Sequence, residues 1–105
     1  MIESDALRVT AQQFLSLTDE MLLTAEQGRW NDFLAVHRAR EDQMAVLIRE
    51  AGTRLLVRLP ELRASFQRAL LTSQRIDALV RARRDDLGAH LSSIQHRRKL
   101  SSAYR

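Results

Sequence analysis

A chain of 105 residues with no cysteine, three glycines and one proline excludes a disulfide scaffold, a thiol nucleophile and a turn-rich all-β fold. Its net charge of +4 is uneven: residues 1–28 sum to −4, residues 29–59 to +2 and residues 60–105 to +6. An acidic partner for the last segment is one reading of that asymmetry, and an acidic first helix packed beside a basic third is the plainer one. The start, Met1-Ile2-Glu3-Ser4-Asp5, is acidic and lacks an apolar run, and nothing nears the roughly 18 apolar residues of a membrane span. Neither a secretion signal nor membrane insertion is expected, and a cytoplasmic location fits.

In chain order, the first helix is predicted over about 4–27, with Ser4 or Asp5 as its cap. Leu7, Ala11, Phe14, Met21, Leu22 and Ala25 recur at helical spacing, with polar Thr18 in line, and form its inward stripe. Gly28 is a permissive left-handed stop. So short a connection turns the second helix, about 29–51, back against the first. Its stripe is Trp30, Phe33, Leu34, His37, Glu41, Met44, Leu47, Ile48 and Ala51. Trp30, at the turn, caps the end of the core, and His37 with Glu41 is expected to form a hydrogen-bonded pair at the seam. Gly52 is the next stop. Thr53 to Leu59 reads either as a loop with a helical turn or as an early helix bent at Pro60, with Leu55, Leu56 and Leu59 closing the core.

The third helix, about 60–95, begins at Pro60, which a first turn tolerates. Its stripe is Leu62, Phe66, Ala69, Ser73, Ile76, Val80, Leu87, Leu91 and Ile94. It reads as the slab on which the two shorter helices pack. At about 1.5 Å per residue it spans roughly 50 Å against roughly 33–36 Å for its neighbours, so Leu87, Leu91 and Ile94 overshoot the Gly28–Trp30 end. Either the chain folds back through residues 97–105 to cover them, or a partner protein does. The opposite face carries Ala64, Leu71, Ala78, Ala82 and Ala89. It serves a homodimer seam or reflects only the helix propensity of alanine. The cluster His96-Arg97-Arg98-Lys99 opposes the helix macrodipole, and sparse aromatics and an acidic first helix argue against direct nucleic-acid binding.

Chemistry is thin. The three glycines are isolated, so no phosphate loop is present, and His37, His90 and His96 lack metal-ligand spacing. No nucleophile elbow is found. The expected class is an all-α binding protein, one domain over 1–105, and not an enzyme, with no catalytic residue, cofactor or metal.

Two stretches carry a family likeness. Leu22-Leu23-Thr24-Ala25-Glu26-Gln27-Gly28-Arg29-Trp30-Asn31-Asp32-Phe33-Leu34 is a helix, a Gly-x-Trp turn and a helix. Ile76-Asp77-Ala78-Leu79-Val80-Arg81-Ala82-Arg83-Arg84-Asp85-Asp86-Leu87 is followed by Arg98-Lys99-Leu100-Ser101-Ser102-Ala103-Tyr104, with a Lys-x-Leu-x-x-Ala-Tyr ending. Over nearly the whole chain this resembles the FliT-type flagellar export chaperones. The resemblance implies an antiparallel bundle of three main helices with a C-terminal segment packing back. It implies a cytoplasmic chaperone that keeps the filament-cap protein from premature assembly and delivers it to the export ATPase complex and export gate. In some members it also implies binding of the flagellar master transcriptional activator. Leu100, Ala103 and Tyr104 are the expected self-masking residues, and Gly28 and Trp30 the structural turn. Helix length and resemblance together place partner binding on Leu71, Leu79, Leu87, Leu91 and Ile94, with the apolar face of a client helix in a groove and arginines as its rim.

Overall fold

The computed structural model describes residues 3–103, with side chains through residue 99. Among them there is no strand. The elements are α1 (Ser4–Glu26), α2 (Trp30–Glu50), a short α3 (Leu55–Arg58) and α4 (Arg63–Ala103). Single 3-10 turns at Gly52–Arg54 and Pro60–Leu62 flank α3.

The helix packed on most closely is α1, not the long helix expected to be the slab. Both α2 and α4 pack along α1, whereas α2 and α4 approach each other chiefly through side chains. The reason lies in the stripe of α1. Leu7, Ala11, Phe14, Thr18, Met21 and Ala25 are all buried, and Thr24, absent from the predicted stripe, widens it. Small side chains alternate with large ones on this stripe, so a neighbour can approach from either side.

Two apolar clusters stack along the bundle. In the lower one Leu7, Ala11 and Phe14 meet Leu47, Leu59 and Leu62. The Phe14 and Phe66 rings stack there at 6.0 Å. In the upper one Met21 and Ala25 meet Phe33 and Ile76, with Trp30, Leu79 and Val80 packed against them. The first-turn end of α1 therefore lies by the last turn of α2 and the start of α4. Its last turn lies by the first turn of α2 and the middle of α4.

Between the clusters sits Arg40 of α2. Its Nε donates to the Thr18 hydroxyl at 2.8 Å and its Nη2 to the Ser73 hydroxyl at 3.2 Å. The guanidinium carbon lies 4.5 Å from the centre of the Phe14 ring. One side chain thus ties three helices, and the Thr18 hydroxyl in turn donates a hydrogen bond to the Phe14 carbonyl at 3.0 Å. Desolvation draws the Arg40 pKa below the ordinary arginine value, while Glu41 and Asp77 nearby act the other way.

The turns are built as their sequence suggests. Gly28 has φ 69°, its N–H bonds the Ala25 carbonyl, and the Arg29 N–H bonds that of Thr24. This paired closure caps α1 and needs the left-handed residue. At the other end of α1, Glu3 is the cap position and offers no side-chain bond, so the cap expected from Ser4 or Asp5 is not formed. Asp5 instead pairs with Arg8, which also holds Glu61 at 2.7 Å. Leu59 is fully buried beneath the short α3, closing the core as expected.

The C-terminal course differs from expectation. No reversal occurs near residue 95: α4 continues unbroken to Ala103, so residues 97–103 extend the helix instead of folding back over the bundle. After Gly88 the chain has neither glycine nor proline, and His96 to Leu100 offer nothing to stop a helix. At 41 residues α4 is about 60 Å long, which sets the 70 Å long axis of the molecule.

Candidate functional site

The bundle ends at the Gly28 turn, and α4 does not. Val80 is still half-buried, whereas none of the described residues from Arg81 onward is buried. Beyond the turn, the first turns of α2 and the projecting α4 enclose a groove of about 570 Å³, lined by Trp30, Phe33, Leu34, Val80, Arg83, Arg84, Leu87, Gly88 and Leu91. Its floor is apolar. Leu34, Leu87 and Leu91 are 54%, 45% and 59% exposed, a large apolar exposure for one small area. A larger cleft of about 660 Å³ lies between α1 and α4, but Gln12, Ser16, Asp19, Ser65, Arg68 and Thr72 among its lining residues give it a mixed wall in place of an apolar floor.

Local rules build the groove. The Gly28 turn starts α2 so that Trp30 and Leu34, one helical turn apart, face the same side. Trp30 is half-buried, meets the Phe33 ring edge-on at 5.4 Å, and has the Arg83 guanidinium 5.8 Å from its centre. On α4, Val80, Leu87 and Leu91 fall within one narrow sector of the helix. The groove continues inward to a smaller pocket of about 310 Å³ that includes Met21, His37, Arg40, Ser73 and Asp77.

The residues expected from sequence divide. Leu87 and Leu91 stand together in the groove. Leu79 turns inward and packs on the Met21–Ile76 cluster. Leu71 is 65% exposed but lies about half a turn around the helix from Leu91, so the groove does not include it. Ile94 is half-buried and is not among the lining residues. The masking role expected of Leu100, Ala103 and Tyr104 falls on side chains outside the described residues.

Trp30 was read only as the cap of a turn, and it is also a wall of the groove. Leu34 was placed on the inward stripe of the second helix but is 54% exposed in the groove, and Arg83 and Arg84 belong to the arginine rim expected there without being named individually. The available signal was the position of Leu34 one turn after Trp30, at the end the third helix overshoots. His37 and Glu41 do not form the expected pair: the His37 ring stacks on Phe33 at 6.4 Å, and Glu41 is exposed. The Ala64, Ala78, Ala82 and Ala89 face is exposed throughout.

Among the described residues no cluster of His, Cys, Asp or Glu is disposed to hold a metal ion, and no helix is long and apolar enough to cross a membrane. Long helices around a narrow core, with an apolar groove left open at one end, are the features of a helical bundle suited to protein contact. The chain belongs to the FliT family: the family model for the flagellar protein FliT matches residues 8–105. This is a family of flagellar export chaperones. No curated protein and no solved structure matches the chain significantly.

Proposed function

We propose that this chain is a cytoplasmic type III export chaperone for the flagellar filament-cap protein, acting as one domain over its whole length. It holds the cap protein in an assembly-incompetent state and brings it to the export ATPase complex and export gate. In this reading the three long helices work as one antiparallel bundle, and the projecting part of α4 is the docking arm. The observation that carries it is the open apolar groove between Trp30 and Leu91, in a chain of a flagellar chaperone family. An amphipathic client helix laid into the groove covers Leu34, Leu87 and Leu91 at once. No part of this activity calls for a nucleophile, a metal or a cofactor.

Leu87→Asp combined with Leu91→Asp tests it. Both positions are exposed, so helicity by circular dichroism should be unchanged while co-purification with the cap protein is lost. Undiminished co-purification would remove the groove as the docking site.

A further inference from the structure

Charge along the projecting part of α4 narrows the chemistry of what the groove takes, on the reading that the groove is where a partner docks. Val80, Leu87 and Leu91 form the apolar row, and at 100° per residue Arg83 lies to one side of it and Arg84 to the other. Both arginines line the groove, and no carboxylate does. Asp85 and Asp86 fall on the back of the helix. Among the described residues neither Arg83 nor Arg84 takes part in an ion pair. Arg83 rests over the Trp30 ring instead. Arg98 lies on the same face as Leu91, seven residues or roughly 10 Å further on. Asp77 enters only in the inner pocket, beside Arg40 and His37.

We infer that the groove takes an acidic amphipathic helix, with apolar residues at i, i+3 or i+4 and i+7 and carboxylates on both flanks. The apolar residues cover the row from Val80 to Leu91, and the flanking carboxylates pair with Arg83 and Arg84. Charge complementarity of this kind sets which partner is accepted and how fast it arrives more than the depth of binding. A second copy's α4 does not fit. From Arg81 to Lys99 the helix has six basic residues and two acidic ones, so two such surfaces repel. A flat anionic surface fits poorly too, because the apolar row lies in a groove that Trp30 and Leu34 of α2 wall on the far side.

Trp30 is the sole tryptophan and sits in the groove, so its fluorescence reports occupancy. The full chain is titrated with two synthetic amphipathic helices of identical apolar pattern, one flanked by glutamates and one by lysines. It is also titrated with phosphatidylglycerol vesicles. The glutamate peptide should bind about tenfold more tightly at low salt, with the gap closing at high salt. Arg83→Glu with Arg84→Glu should reverse the preference, with calorimetry as a second readout. Equal affinities, a preference for the lysine peptide, no peptide binding, or a response to vesicles alone would overturn the inference. The Leu87→Asp, Leu91→Asp variant separates the two levels. If it loses two equally bound peptides, the groove stands and the acidic partner falls. If it keeps them, the docking site itself falls.

Discussion

Helix α4 has two halves built on one pattern and placed in different surroundings. From Leu62, just before its start, through Ala69 to Ile76, its stripe is buried against α1. From Leu87 to Leu91 the same spacing continues and the side chains are open. Helix propensity does not separate the halves. The difference is the neighbour, because α1 ends at Glu26 and α2 begins only at Trp30. There the apolar pattern outruns the bundle's own cover. The inner half is a folding surface, and the outer half is proposed as a binding one.

The largest expected effect lies in the inner half. Ile76→Ala should cost about 2–5 kcal/mol in urea unfolding, since it opens a cavity in the upper cluster. Leu91→Ala, on the same helix, should change stability by no more than about 0.5 kcal/mol. Equal losses would erase the distinction between the halves. Arg40→Met comes next, at about 1–3 kcal/mol by thermal or urea unfolding. It keeps an apolar stem but removes the bonds to Thr18 and Ser73 that tie three helices.

The glycines sharpen the comparison at smaller scale. Gly28→Ala forces a Cβ into the left-handed region at φ 69° and should cost about 1–2 kcal/mol. Gly88 is an ordinary position within α4 with open space around it. Gly88→Ala should therefore firm the outer helix by about 1 kcal/mol, read as slower amide exchange around residue 88. The smallest effect is at the foot of the bundle. The bond from Arg8 holds the Glu61 carboxyl below its ordinary range. That stabilisation is complete above the ordinary glutamate range and is lost as pH falls through the lowered pKa. Glu61→Gln should flatten this part of the acid-side decline, measured by urea unfolding at neutral and acid pH, and leave the groove unaffected.

Much of the fold could be read from spacing. The α1 stripe, the stops at Gly28 and Gly52, and the overshoot of the last helix follow from periodicity and length alone. Arg40 was not legible in that way, because a lone arginine on a surface helix reads as solvated. Its clue was indirect: Thr18 and Ser73 interrupt two apolar stripes with hydroxyls at one level, and such gaps need a shared donor. The fold-back of residues 97–105 was expected because exposed leucines demand cover. Local chemistry favoured a continuing helix, and through Ala103 that preference prevailed. Half of the site was visible in Leu87 and Leu91. An arginine rim was expected as well, but that Trp30 and Leu34 form the opposite wall depends on which turn of α2 faces which turn of α4, and local spacing only hints at that relation.

Amide exchange along α4, in the free chain and with the cap protein bound, tests the central claim most directly. The claim predicts that residues 62–76 are protected in both states and that residues 80–94 gain protection only when the cap protein is present, together with the first turns of α2. New protection confined to the lower cluster, with residues 80–94 exchanging as freely as before, would contradict it.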